Sequence, residues 1–504
     1  MSIDDEKPRI LFVTPEVSYL PEKMSAMSNS LRARAGELGD VSAALICAIY
    51  EKGVDVHVAL PDYRTLFNNH NSPLFQKQSS TIRTRHSETK VHLAEDREFF
   101  YKKEIYSDSD KENIRVSLAF QREVINTIVP RVQPDLIHCN DWMTGLIPAM
   151  ARRLGTPCLF TIHNIYNVKI LLSSIEDRGI DAALFWQNLF FERHPLNYEE
   201  TRNSNPVDFL ASGIFAAHFV NTTCPEFLEE MIQGEHSFVD PSIQRELLNK
   251  VAQGCASGVL NCPDASHLPE TDIALFKNYD EKTHASGKKA NKIFLQERLG
   301  MIKDPLIPLL FWPSCLDRLY NGSYFLSTML YAILSRYRHQ NLEIVFTARG
   351  TLGKLIKDII RDFNLKDRVA VCKPDDSLLR VAYAASDFVL MPFAVEPVSS
   401  GKITGLLYGS LPIVHNHGGS HHTITQLDMV HLRGNGFLFN QFNDDSLIKA
   451  IDKAMVFYNQ SSDIKTRQIF RIMKQSRERF DHSLTASHYL SLYEKMLKRP
   501  FVKQ

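Results

Sequence analysis

Short apolar runs recur along this chain, separated by stretches whose apolar positions repeat at helical spacing. Ile10 to Thr14 (ILFVT) and Val56 to Leu60 (VHVAL) read as buried strands. Between them, Asp40 to Lys52 places Val41, Ala44, Leu45, Ala48 and Ile49 on one helical face. This predicts a strand–helix–strand unit with a long loop, Pro15 to Leu38, after its first strand. Alternation resumes with a strand at Leu136 to His138, a helix at Trp142 to Arg153 and a strand at Cys158 to Ile162. Phe219 to Asn221 and Pro225 to Met231 supply another strand and helix. Arg64 to Asn71 and Ser79 to Glu112 are largely polar and read as irregular surface excursions.

A proline-rich loop, CPDASHLPETD, follows Asn261, and Lys288 to Leu299 then reads as a helix ended by Gly300. Beyond it the pattern starts afresh, with strands at Leu309–Phe311, Glu343–Thr347, Val369–Cys372, Asp387–Met391 and Leu411–Val414. Helices are expected between them at Ser323–Arg338, Leu352–Phe363, Asp376–Ala385 and Ser400–Ser410. The chain thus reads as α/β, with two Rossmann-like, doubly wound parallel-sheet domains facing across a cleft. Residues 1–255 form the first domain and 256–480 the second. Residues 481–504 hold an amphipathic helix, roughly Leu484 to Lys498, expected to pack across the domain joint.

Open α/β sheets hold ligands at the carboxyl ends of their strands, which singles out a few polar residues. Asp141 and His163 stand at the tips of successive strands, and Asn164 follows His163. A histidine there can bond a hydroxyl, and an aspartate can orient or accept. In the long loop, Arg34 and Gly36 immediately precede a helix. In the second half, Glu396 follows a strand, Ser399 and Ser400 open a helix, and Gly418-Gly419 turns after the next strand. A free helix N-terminus suits an anion such as a diphosphate. The plain alternative for each is structural: a solvated arginine, an ordinary glycine turn, a hydrogen-bonded core histidine.

Composition removes several function classes. Among 504 residues, 58 Lys+Arg balance 58 Asp+Glu, so no overall basic field favours nucleic acid or an anionic membrane. No apolar run approaches the ~20 residues of a spanning helix, and the charged start MSIDDEKPR does not resemble a signal peptide. The eight cysteines are scattered without a CxxC, which suits buried thiols in a reducing cytoplasm. No metal-ligand cluster is evident, and no GxGxxG follows the first strand, which speaks against a dehydrogenase.

Several segments, in order, resemble the bacterial glycogen and plant starch synthases, retaining glycosyltransferases of the GT-B fold. Arg34-Ala35-Gly36-Glu37-Leu38-Gly39-Asp40-Val41 is similar to the family's K-T-G-G-L-(A/G)-D-V loop. Asn140-Asp141-Trp142 with Gly145-Leu146 resembles H-D-W-x-x-G-L, and Phe160 to Asn164 resembles F-T-x-H-N. Asn221 to Pro225 stands where the family has a T-V-S-P type turn. Gly258 to Asn261 stands for its G-x-x-N-G-(I/V)-D, and Asn291-Lys292 with Leu295-Gln296 for N-K-x-x-L-Q. Glu396-Pro397 through Gly418-Gly419 answers to E-P-C-G-L-T-Q and L-P-I-V-x-x-T-G-G.

The resemblance implies transfer of glucose from ADP-glucose or UDP-glucose to the non-reducing end of an α-1,4-glucan, with retention and without a metal or other cofactor. It implies that His163 contacts the donor sugar with Asp141 nearby, and that Glu396 binds the sugar or supports its developing charge. Arg34 and Gly36 would close on the diphosphate, and Asn164 and Asn261 would lie in the cleft. The departures fall on the chemistry. The family's arginine and lysine on the leaving diphosphate are here Cys315 and Asn321, with Arg318 and Lys402 as candidate substitutes. Glu37 replaces a glycine and Asn140 a histidine. Removing one preorganised donor to developing charge costs about 2.7–4 kcal/mol. A second expectation therefore stands beside the first: a pseudoenzyme that binds glucan or a partner protein and regulates glycogen metabolism.

Overall fold

In the computed structural model, the apolar runs of the first half become strands of one parallel sheet. The structure describes residues 7–68, 89–235, 239–263, 268–313, 322–348, 350–372, 376–392, 400–416 and 423–501. Residues 1–261 with 482–504 form one compact unit and residues 262–481 a second.

The first unit carries β1 (Arg9–Val13), β2 (Asp55–Pro61), β3 (Val91–Ala94), β4 (Leu136–Asn140) and β5 (Cys158–Ile162). A separate antiparallel ribbon follows, β6 (Lys169–Ile170) with β7 (Val207–Asp208), before β8 (Phe219–Thr222) and β9 (Ala256–Gly258) return to the sheet. The sheet order is β3-β2-β1-β4-β5-β8-β9, with every pair parallel. The chain winds outward from β1 in both directions, so the order reverses between β1 and β4. That switch point opens a crevice at the carboxyl ends of the two strands. β4 and β5 are buried throughout, which is why they read as unbroken apolar runs.

The helix after the long loop, α1 (Glu37–Glu51), starts one turn earlier than its apolar face suggests. It is buried on more than one side, since Ala43 and Ile46 are as inaccessible as Ile49. The helix expected from Trp142 to Arg153 is broken into a 3-10 turn (Trp142–Thr144), a short α-helix (Ile147–Ala151) and a second 3-10 turn (Arg152–Leu154). Pro148 has no N–H to continue the ladder, and Leu146 N donates instead to Oε1 of Gln121 at 2.7 Å. Gly145 sits where a Cβ would lie 2.2 Å from the carbonyl oxygen of Phe209, so that backbone contact admits glycine alone.

Two expectations for this unit need correction. The segment taken as a polar excursion contains β3, an edge strand of the sheet, and a helix beginning at Asp110. That helix runs to Glu123 and passes through a π turn (Val124–Ile128) into Val129–Val132. The wider π turn precedes Pro130, whose ring would otherwise meet the carbonyl four residues back. The first unit also extends past residue 255, because β9 completes its sheet and Asn261 bonds into its interior.

The chain's last helix, His482–Leu497, belongs to this first unit. It buries Ala486, Tyr489, Leu490 and Tyr493, a stripe at i, i+3, i+4 and i+7. Tyr493 Oη lies 2.7 Å from Nδ1 of His138 on β4, whose Nε2 lies 2.7 Å from Thr161 Oγ1 on β5. Tyr489 Oη receives Nδ2 of Asn221 at 2.8 Å and donates to Oδ1 of Asn261 at 3.2 Å. Thr485 Oγ1 donates to Leu260 O.

The second unit holds β10 (Leu309–Trp312), β11 (Glu343–Thr347), β12 (Val369–Cys372), β13 (Phe388–Met391), β14 (Leu411–His415) and β15 (Phe437–Phe439). Their order, β12-β11-β10-β13-β14-β15, is again parallel throughout, with its switch point between β10 and β13. The helix His284–Leu299 ends at Gly300, whose φ of 69° is the left-handed C-terminal cap expected of it. Asn291, Lys292 and Gln296 on this helix carry architecture. Asn291 bonds four backbone groups, Lys292 Nζ reaches Ile307 O (2.9 Å) and Asp387 (2.6 Å), and Gln296 reaches Asp304 O and Glu343. Among the described residues no helix is long and apolar enough to cross a membrane.

Candidate functional site

The polar residues at the carboxyl ends of β1, β4 and β5 meet at the first unit's switch point. Asp141 follows β4 with φ 58° and ψ 179°, a backbone region that almost only glycine adopts. Strain of this kind persists only where the surroundings fix it. Here the side chain does so: Oδ1 accepts from His163 N (2.7 Å) and Asn164 N (3.2 Å), and Oδ2 accepts from Asn164 Nδ2 (2.7 Å). Asn164 Oδ1 in turn accepts from Tyr166 N at 2.9 Å. Asp141 therefore organises the β5 tip that carries His163 and Asn164.

The ring of His163 is buried, and its Nε2 lies 2.9 Å from Oδ1 of Asn140. Nδ2 of Asn140 donates to Val13 O at 3.0 Å, which ties the pair back to β1. Burial pulls the imidazole down to about 3, so His163 is neutral across the physiological range. Burial also pushes Asp141 up to about 7, aided by the nearby Glu16 carboxyl and opposed by the N–H groups of His163 and Asn164.

Glu16, beyond the end of β1, is a site residue that sequence reasoning missed. Its Oε2 accepts from Ala35 N (2.7 Å) and Gly36 N (2.9 Å), and its Oε1 from Tyr106 Oη (2.9 Å). A two-way bridge between Val17 and Ala33 folds the long loop back so that these groups meet. Burial raises the Glu16 carboxyl above its ordinary value, against those three donors. A carboxylate at the tip of the first strand of an α/β sheet was the available signal. Tyr106 had none, lying in the segment read as irregular.

The same loop disposes of Arg34. Its Nε and Nη2 both lie 2.7 Å from the two oxygens of Asp40, a bidentate pair with side chains 21% and 27% exposed. Arg34 is thus paired with Asp40 and not a lone solvated charge. Gly36 serves as the extended N-cap of α1 and leaves room where a Cβ would go; Glu37 begins the helix. Asn261 is buried, with its Oδ1 committed to Tyr489.

In the second unit, Glu396, Ser399, Gly418, Gly419, Cys315, Arg318 and Asn321 lie outside the described residues. By sequence, Cys315, Arg318 and Asn321 follow β10 and Glu396 follows β13, the two strands flanking that sheet's switch point. Ser400 opens the helix Ser400–Leu407, and Lys402, in its first turn, is fully buried and so is no solvated surface charge. Among the described residues no group of three or more His, Cys, Asp or Glu is placed to hold a metal, and the seven cysteines among them form no disulfide.

Known proteins resemble this chain in sequence and in fold. A starch synthase catalytic domain model matches residues 9–243, nearly all of the first unit's leading segment. A glycogen synthase of Moorella thermoacetica is 28% identical over 516 residues, covering 97% of each chain. One of Clostridium novyi is 27% identical over 490 residues, covering 92% of this chain and 97% of the relative. The catalytic domain of starch synthase IV from Arabidopsis thaliana, solved bound to ADP and acarbose, has the same fold, with a TM-score of 0.76 at 20% identity over 98% of this chain and 100% of that one. The chain is similar along most of its length to glycogen and starch synthases, matches their catalytic-domain model over residues 9–243, and is a glycosyltransferase of the GT-B fold.

Proposed function

We propose that this glycosyltransferase moves glucose from ADP-glucose or UDP-glucose to the non-reducing end of an α-1,4-glucan, with retention at the anomeric carbon. The observation that carries the reading is the assembly of Asp141, His163 and Asn164 at the switch point, held by a strained Asp141 backbone. A neutral imidazole and buried carboxyls suit a polyhydroxyl ligand, which offers many donors and acceptors and no charge. His163 contacts the donor sugar, Asp141 keeps His163 and Asn164 in register, and Glu396 supports the sugar's developing positive charge. Lys402, with Arg318, serves the leaving diphosphate where Cys315 and Asn321 cannot. The reaction needs no metal or other cofactor, and free thiols suit the cytoplasm. Solved structures of this fold have been captured with ADP, as in the Arabidopsis starch synthase IV domain, and with UDP-glucose, as in Anabaena HepE. That makes both donors reasonable first choices.

The test is transfer of labelled glucose from each donor to glycogen, with the anomer of the new linkage read by NMR. Incorporation into α-1,4 linkages supports the reading; glycogen binding without turnover from either donor rejects it.

A second reading, a scaffold that binds glucan or a partner protein without transfer, has an observation of its own. The three groups of the loop that would meet a diphosphate are already engaged: Arg34 by Asp40, and the Ala35 and Gly36 N–H groups by Glu16. Restoring Cys315→Arg with Asn321→Lys separates the two. A rate that appears only after restoration identifies a decayed catalyst, and a rate lost on restoration identifies a rebuilt site.

A further inference from the structure

Asn140 stands where the family carries a histidine, and its surroundings give the replacement a purpose. An amide can be turned either way round, so which end faces His163 must come from its other contact. Nδ2 of Asn140 lies 3.0 Å from Val13 O, a pure acceptor, so the NH2 end belongs there. Turning the amide over would set two carbonyl oxygens against each other on β1 and β4. Oδ1 therefore faces Nε2 of His163, at 2.9 Å, and an oxygen facing a ring nitrogen at that distance requires the nitrogen to carry the proton. No hydrogen bond from a described residue reaches Nδ1 of the same ring, whose backbone N–H is held by Asp141.

We propose that Asn140 is a positioning residue that fixes the His163 proton on Nε2 and so makes Nδ1 the acceptor offered to a hydroxyl of the bound sugar. The second half rests on the reading above that His163 meets the donor sugar. A neutral imidazole in water exchanges between two tautomers, and a site that needs an acceptor loses affinity in proportion to the time spent in the wrong one. A histidine at position 140 would itself have two tautomers to choose from. An amide anchored to a backbone carbonyl presents one acceptor and nothing else. The neighbourhood contains other titratable groups. His138 lies two residues back on β4, and the Asp141 and Glu16 carboxyls approach from the strand tips. None of them accepts from Nε2.

The experiment uses full-length protein labelled with ¹⁵N-histidine, with His163 assigned by the signal lost in His163→Gln. Long-range ¹H–¹⁵N correlation in the free protein reads the tautomer, and calorimetry reads ADP-glucose and UDP-glucose affinity. The wild type is expected to show one tautomer, protonated at Nε2. Asn140→Ala is expected to show both, with donor dissociation constants raised about 2- to 10-fold, the loss of one neutral hydrogen bond. Asn140→Asp keeps the acceptor and is expected to keep the Nε2 proton, while its charge holds a doubly protonated ring to higher pH. Should Asn140→Ala fail to fold, this shift in the His163 titration between wild type and Asn140→Asp carries the test alone. An Nδ1–H tautomer in the wild type overturns the proposal, as does an Asn140→Ala spectrum identical to it or an unmoved titration in Asn140→Asp. A tautomer change without any donor binding, in wild type or variant, upholds the role of Asn140 and rejects the sugar-site reading instead.

Discussion

Removing one hydroxyl, in Tyr489→Phe, probes how the C-terminal helix is held. Tyr489 Oη lies between two buried amides, taking Nδ2–H from Asn221 at 2.8 Å and giving its own hydrogen to Oδ1 of Asn261 at 3.2 Å. Oδ1 of Asn221 and Nδ2 of Asn261 have no partner among the described residues, so neither amide has a bond in reserve there. Phenylalanine fills the same volume, leaving apolar burial unchanged, and strands one donor and one acceptor. Each stranded group costs about 1–3 kcal/mol; the two share an anchor and will not add fully, so about 2–4 kcal/mol is expected. Tyr493→Phe is the internal control, because it strands only the Nδ1 side of His138 and should cost about 1–3 kcal/mol. Urea unfolding followed by circular dichroism gives both values, and amide exchange shows whether residues 482–497 open before the sheet. A cost below about 0.5 kcal/mol for Tyr489→Phe, or one smaller than that of Tyr493→Phe, would refute the argument that these tyrosines peg the helix to the sheet.

Two further outcomes follow from single groups. Asp141→Gly and Asp141→Ala both remove the carboxylate that holds His163 N and Asn164 N, but only alanine retains the positive-φ strain. The glycine variant should be the more stable by about 1 kcal/mol in thermal or urea unfolding, while both lose glucosyl transfer; equal stability would mean the backbone relaxes. Glu343, buried at the start of β11 with one oxygen held by Gln296 Nε2 and the other unpartnered, is pushed up to about 7 by burial. A carboxyl raised in the folded state stabilises it most below its unfolded value, and that contribution is lost as pH rises toward 7. Glu343→Gln should therefore flatten the pH dependence between about 4.5 and 7 and gain about 1–3 kcal/mol at pH 8, as read by unfolding midpoints.

Much of both sheets was legible because parallel strands covered on both faces read as uninterrupted apolar runs, as β4, β5, β13 and β14 do. Asp141, His163 and Asn164 were legible for a related reason: polar residues at the end of such a run sit at a strand tip. What escaped depended on distant partners or on interrupted periodicity. β3 is a four-residue edge strand amid polar chain, and the helix from Asp110 changes its winding before Pro130. The stripe Ala486, Tyr489, Leu490, Tyr493 announces an amphipathic helix. Its targets, His138 and Asn221, lie more than 250 residues earlier in the chain. Asn291, Lys292 and Gln296 were legible as a motif, and the structure adds that their bonds fasten a helix to strand ends.

If the proposed diphosphate sits at the glycine loop, Glu16 decides how the two meet. Its Oε2 takes the N–H groups of Ala35 and Gly36, the donors that a phosphate at this loop would need. An incoming phosphate must therefore take these donors from the Glu16 carboxyl. Left without those donors, Glu16 would keep only Tyr106 Oη as a partner, in a setting where burial already favours its neutral form. An ionised carboxylate there is costlier than a protonated one, so displacement couples to protonation. Titrating ADP calorimetrically in buffers of different ionisation enthalpy should then reveal net proton uptake on binding, and Glu16→Gln should abolish that uptake. Binding without proton uptake in the wild type would mean that Glu16 keeps its hold on the loop and that the diphosphate is recognised elsewhere.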